Sequence, residues 1–134
     1  MLLTDTSKIS FWAKLGRIDV SLPGSPEQRS YFIKVVSRDV GKNMVMSEFE
    51  SLRTMHQIIP EFVPTPIAWG SYETVPDTHF ILCQFRDMTD PDTMPDPEKF
   101  GALLSKLHRE SESPNDRFGF HIATYPRNLP QYTG

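Results

Sequence analysis

Lys34 stands in the middle of Tyr31-Phe32-Ile33-Lys34-Val35-Val36, an otherwise apolar run. An ammonium left unpaired among hydrocarbon costs several kcal/mol or gives up its charge, so Lys34 requires a carboxylate or an anionic ligand. Glu48 can be that carboxylate. It lies in the stretch Asn43–Ile59, whose apolar residues Val45, Phe49, Leu52, His56 and Ile59 recur with helical spacing. At about 100° per residue Glu48 falls roughly 60° from the centre of that stripe, whereas Glu50 falls about 140° away, toward solvent. A strand cation steered by a helix carboxylate suits one task above others, neutralising the phosphate oxygens of a nucleotide. The bland alternative is a surface lysine whose stem lies along apolar neighbours with its head in water.

The elements needed to hold that pair are legible. Phe11–Leu15 and Arg17–Leu22 alternate apolar and polar like half-buried strands, Pro23-Gly24-Ser25-Pro26 interrupts them, and Tyr31–Val36 resumes, which is a hairpin pattern. On the second strand Phe32, Lys34 and Val36 share one face, and Tyr31, Ile33 and Val35 the other. Asn43 is placed to cap the helix and Pro60 to end it. Phe62-Val63-Pro64-Thr65-Pro66 must run extended, because a residue before proline avoids the helical region. Ile67–Tyr72 and His79–Phe85 read as two further strands joined by the polar tip Glu73–Thr78. Arg86–Pro97 is acidic and proline-rich, a linker. Pro97-Glu98 opens a second helix to about Arg109 with Phe100, Leu103, Leu104 and Leu107 on one face. The tail, Ser111–Gly134, shows no sustained period.

Composition narrows the function classes. The 134 residues suffice for one domain with a real core, and the net charge of −3 gives no basic field for a nucleic-acid backbone. The single cysteine, Cys83, lies in the apolar run Phe80–Cys83 and cannot form an internal disulfide or a cysteine zinc cluster. No apolar run has the length to cross a bilayer, and Asp5 and Lys8 interrupt the N-terminal Met1-Leu2-Leu3, so neither a membrane span nor a secretory signal is expected; a cytoplasmic location follows as an expectation.

Other motifs are weaker. His108-Arg109-Glu110 with Asn115, followed by Asp116-Arg117-Phe118-Gly119, mimics a kinase catalytic loop and magnesium triplet. His108, however, ends an amphipathic helix that starts directly after the linker, and the two imitations nearly touch, so both are read as coincidence. His56, His79, His108 and His121 are scattered without ligand spacing, and His56 reads as a hydrogen-bonded core residue. There is no Gly-x-Ser-x-Gly elbow, no Gly-x-Gly-x-x-Gly and no Walker loop, which leaves any backbone grip on phosphate to the glycine-free stretch Thr4–Ser10 or to another segment.

The order of elements (strand, strand with lysine, helix with glutamate, two strands, linker, helix) is that of a protein-kinase-like small lobe. More specifically, Tyr31–Val35, Glu48–Leu52, Val63–Gly70, His79–Phe85, Leu103–His108 and Phe118–His121 through Asn128–Gln131 resemble the fungal branch of the fructosamine/ketosamine-3-kinase family, protein-ribulosamine 3-kinases included. The resemblance runs from about Phe11 to Gln131. It implies an α+β fold related to aminoglycoside phosphotransferases: an antiparallel sheet with one packed helix in residues 1–85, a linker in 86–97, and the beginning of a larger lobe in 98–134. It also implies transfer of the γ-phosphate of ATP, with Mg2+, to the 3-hydroxyl of a ketosamine on a glycated protein or small molecule. Carried over residue by residue, Lys34 would hold the α/β-phosphates, Glu48 would orient Lys34, and Cys83, Gln84 and Phe85 would line the adenine.

Several positions depart from the family pattern. The catalytic and magnesium-binding aspartates belong to segments beyond the Pro130-Gln131 element, the region before the first strand is short, Arg127 stands where a glycine is usual, and Gln84 replaces an acid. The sequence therefore predicts a nucleotide-binding lobe without turnover of its own, a truncated product or a piece of a longer enzyme. The competing expectations are a non-catalytic module that pairs with a full-length relative through an apolar underside around Phe100, Leu103, Leu107 and Phe120, and an unrelated α+β domain.

Overall fold

The first two long strands pair along their whole length with most side chains half-buried, and Gly24, with φ +81°, supplies a left-handed residue in their connection. The computed structural model describes residues 2–4 (backbone), 13–21, 23–88, 94, 96–126 and 129–131. Strands β1 (Leu2–Thr4), β2 (Ala13–Ser21), β3 (Gln28–Ser37), β4 (Pro66–Ser71) and β5 (Thr78–Gln84) form one antiparallel sheet in the order β1-β2-β3-β5-β4. Helices α1 (Gly41–Ile58) and α2 (Pro97–Glu110) complete the described elements. This is the α+β arrangement of a kinase-like small lobe, as the sequence predicts.

The register fixes what lies beside Lys34. Leu15 and Ile81 pair with it, Ala13 and His79 pair with Val36, and Arg17 and Cys83 pair with Phe32. Directly opposed residues share a face, so Leu15, Phe32, Lys34, Val36, Ile81 and Cys83 all look toward α1. The core forms there: Val36, Val45 and Ile81 are buried, with Ala13, Met44, Phe49, Leu52 and Trp69 packed against them.

Two helix-start expectations resolve differently. Asn43 does not cap α1; Val40 is the capping residue, makes no side-chain cap bond, and has a helical backbone. The start is set by packing instead. Gly41 is buried so tightly that a Cβ would come 3.1 Å from the His79 ring and 3.2 Å from the Val36 carbonyl, which brings the helix onto the sheet two residues before Asn43. At the other end Ile59 closes α1 through its N–H to the Met55 carbonyl, and Pro60 follows as expected. In α2, Asp96 accepts a hydrogen bond from the Glu98 amide and Pro97 occupies the first turn.

The strands depart in detail from the sequence pattern. The two segments read on either side of Gly16 are one continuous strand, β2, while Phe11, Trp12 and Leu22 lie outside the described residues. Strand β1 has no counterpart in the sequence reading, because three residues are too few to show a period. Strand β4 starts at Pro66, tolerable because β4 is the sheet edge and a missing N–H breaks no ladder on its outer side.

Candidate functional site

Strand β3 aims Lys34 at the helix, and α1 returns Glu48 to meet it: Nζ and Oε2 are 2.6 Å apart. The pair is neither sealed nor fully solvated, with 23% of the lysine side chain and 38% of the glutamate side chain exposed. At that exposure the pair adds at most about 1 kcal/mol to folding. Its consequence is geometric. Glu48 uses one acceptor on Lys34, leaving the ammonium with donors to spare.

A cleft of about 540 Å³ opens at this pair. Ala13, Met44, Ser47 and Ser51 line it on the lobe side, and Thr124, Tyr125, Pro126 and Gln131 close it from the tail. Ser47 is buried at 3% and its hydroxyl donates to the Met44 carbonyl, while Ser51 donates to the Ser47 carbonyl. Among these lining residues Glu48 is the only carboxylate. Among the described residues, no three His, Cys, Asp or Glu side chains converge to hold a metal ion. The charge of Lys34 thus fits a phosphate, whereas the donor set does not fit a Mg2+ site.

Cys83 lies one sheet row away, 4% exposed, and burial pushes its thiol pKa up; the neighbouring Glu48 adds to the rise and Lys34 opposes it. That thiol is a packed, protonated core group. Gln84 and Phe85 lie farther along, in a second cleft of about 600 Å³ shared with Arg17, Ser30, Tyr31 and Thr65. The Gln84 amide donates to the Thr65 carbonyl and the Phe85 amide to the Ser30 carbonyl, so neither is spare in this arrangement. The structure therefore brings Lys34, Glu48 and Cys83 together and sets Gln84 and Phe85 apart, with the Arg17–Phe32–Cys83 row between.

Three polar groupings escaped sequence reasoning. Arg17 donates to Asp19 and Ser30, Ser30 donates to Asp19, and the Arg17 guanidinium lies 4.5 Å from the centroid of the Phe85 ring. The Ser30 hydroxyl, then Arg17, hold the Asp19 carboxyl below its ordinary range. Arg17 and Asp19 stand two apart on a strand, so opposite charges on one face were a readable signal. Arg86, the first linker residue, donates to the carbonyls of Pro60, Glu61 and Val63 and anchors the departing chain to the loop after α1. The His56 ring is 3.1 Å from the Thr65 hydroxyl, which in turn donates to Gln84. His56 is hydrogen-bonded as expected but half-buried rather than in the core, and its partners could not be read from spacing.

The remaining motif candidates stay apart from the cleft. His108 and Arg109 occupy the last turn of α2, and Asp116 and Gly119 sit in turns with φ of 55° and 93°. His79 is buried with its Nδ1 2.7 Å from the Ser71 hydroxyl. Of the stretch Thr4–Ser10, Thr4 ends β1 and the rest lies outside the described residues.

The family model described as fructosamine kinase matches residues 7–133. The chain belongs to the fructosamine kinase family. No curated protein and no solved structure matches it. Membership in the fructosamine kinase family carries, by resemblance, a ketosamine kinase function that draws on ATP. No helix among the described residues is long and apolar enough to cross a membrane.

Proposed function

We propose that this lobe binds ATP with its phosphates at Lys34 and its base toward the cleft at Gln84 and Phe85, in service of phosphotransfer to the 3-hydroxyl of protein-bound ketosamines such as fructosamines or ribulosamines. The observation that carries the proposal is the 2.6 Å Lys34–Glu48 contact at the mouth of a solvent-connected cleft. Both clefts are lined by β3, with Lys34 at one and Ser30 at the other. From Ser30 to Lys34 along β3 is about 13 Å at strand rise, the length scale of an extended nucleotide. Cys83, on the row between them, is a packed core residue that lines neither cleft, so the contact with the base falls to Gln84 and Phe85.

Within this reading Glu48 orients Lys34 and the ammonium neutralises phosphate oxygens. Mg2+, when bound with ATP, would neutralise further phosphate charge. The cleft provides the cation, but its one carboxylate, Glu48, is engaged by Lys34, which leaves none among the described lining residues for the metal or for activating an attacking hydroxyl. The 134 residues by themselves are thus expected to bind nucleotide without turning it over.

Calorimetric titration with ATP–Mg2+ tests this. Wild type should bind measurably, and Lys34→Met should weaken binding by at least about tenfold, the loss of a charge-assisted hydrogen bond. The proposal fails if Lys34→Met binds as tightly as wild type.

A second reading has an observation of its own. Phe118 is 95%, Leu129 70% and Phe100 42% exposed, more apolar surface than a lone lobe needs to show. This favours a module that docks on a relative or on another copy of itself, with or without catalysis.

A further inference from the structure

The bonds around Gln84 fix which end of its carboxamide a ligand meets. Strand β5 ends at Gln84, whose backbone N–H donates to the Thr65 carbonyl at 2.8 Å, and the Phe85 N–H donates to the Ser30 carbonyl. Both backbone donors are engaged, so a donor for a base at these two residues has to come from a side chain. Gln84 Oε1 accepts from the Thr65 amide at 3.4 Å and from the Thr65 hydroxyl at 3.3 Å. A flipped carboxamide would set its NH2 against the Thr65 N–H, donor against donor, so the Thr65 backbone dictates the orientation. Thr65 has one hydroxyl proton and gives it to Gln84. Toward His56, whose Nε2 is 3.1 Å away, the hydroxyl therefore accepts and the imidazole donates. Gln84 itself is exposed and lines the second cleft.

We propose that the Gln84 side chain recognises the base: its Nε2 donates to an unprotonated ring nitrogen or carbonyl oxygen of a heteroaromatic base in the second cleft, and Thr65 and His56 are positioning residues that hold Oε1. A carboxamide free to rotate offers donor or acceptor indifferently and selects nothing. With Oε1 held by two donors of one residue, Gln84 offers the ligand donors only, and little ordering remains to be done on binding. Phe85 is held as well. The Arg17 guanidinium lies 4.5 Å from its ring centroid and is tied in turn to Asp19 and Ser30, which gives the same cleft a fixed aromatic surface beside the donor. That the occupant is the base of ATP rests on the functional reading above; the fixed polarity of the carboxamide rests on geometry alone.

The test is a calorimetric comparison of ATP–Mg2+ with tripolyphosphate–Mg2+, which carries the phosphates without a base. The ratio of the two dissociation constants within one variant cancels any change at the phosphate end. Gln84→Glu keeps the acceptor for Thr65 and deletes the donors, whereas Gln84→Met deletes both without adding a charge. Each should weaken ATP about fivefold relative to tripolyphosphate, the effect of one ordinary hydrogen bond. Thr65→Val should weaken it about twofold to threefold, as a looser carboxamide would. Thr65→Ser, which restores the hydroxyl but not the methyl group, should return the ratio to the wild-type value, a rescue that lost packing would not give. An unchanged ratio in both Gln84 variants overturns the proposal, and Thr65→Ser behaving like Thr65→Val overturns the positioning role. Wild type that binds tripolyphosphate as tightly as ATP also overturns base recognition while leaving a phosphate site at Lys34 standing. Wild type that binds neither removes the nucleotide reading, and the role of Gln84 with it.

Discussion

At the scale of single residues, burial and charge assign different tasks to groups a few ångströms apart. Lys34 and Glu48 contribute little to folding because water reaches both, so under the proposed function their tight contact serves the ligand rather than the fold. Cys83 is the reverse, a buried thiol whose raised pKa is a stability statement. In the unfolded chain it ionises near the ordinary value of 9.0, whereas the folded chain keeps it protonated to higher pH. Above that value the native state binds more protons than the unfolded state, so its contribution is full below pH 9 and is lost as pH rises. Denaturant midpoints should therefore fall between pH 8 and about pH 10 in wild type, and Cys83→Val should reduce the fall. An identical fall in both would show that Cys83 is not its source.

Secondary-structure elements place those residues, and here packing outranks local preference. Asn43 is a better helix cap than Val40 by residue type, yet α1 begins at Gly41, where the close approach to Val36 and His79 leaves little room for a Cβ. Gly41→Ala should cost about 1–3 kcal/mol as an overpacking change against a backbone carbonyl. Gly101→Ala, where a Cβ in α2 meets nothing within 4 Å, should instead stabilise by about 0.5–1 kcal/mol through helix propensity. Thermal unfolding of the two variants reads both signs, and a neutral Gly41→Ala would show that α1 can shift on the sheet. The same contrast explains what was legible. Lys34 and Glu48 could be read because strand and helix periods alone bring both onto one face. Arg86 could not, since its partners are backbone carbonyls in a loop whose path depends on the finished fold. Nor could the Thr124–Gln131 pairing, a single bridge in a tail without period.

For the molecule as a whole, one five-stranded sheet and α1 make a lobe with a real core, while α2 has no buried residue and touches the lobe through pairs such as Phe62–Phe100 at 5.7 Å. The described residues from α2 onward therefore depend on contacts more than on a core of their own. Its exposed Phe118 and Leu129 should drive association. Light scattering across a concentration series should show a mass that grows in wild type and falls back toward the monomer in Phe118→Ser. A wild-type monomer at every concentration would dismiss the docking module.

The most direct measurement of the central claim is where an acyl-phosphate derivative of ATP leaves its acyl group. Such a probe transfers the group to whichever amine lies against the bound phosphates. Lys34 should be the main modified residue, unlabelled ATP should compete, and Glu48→Gln should lower the yield. Labelling spread over Lys14, Lys42 and Lys106 without competition, with Lys34 untouched, would contradict a phosphate site at the Lys34–Glu48 pair.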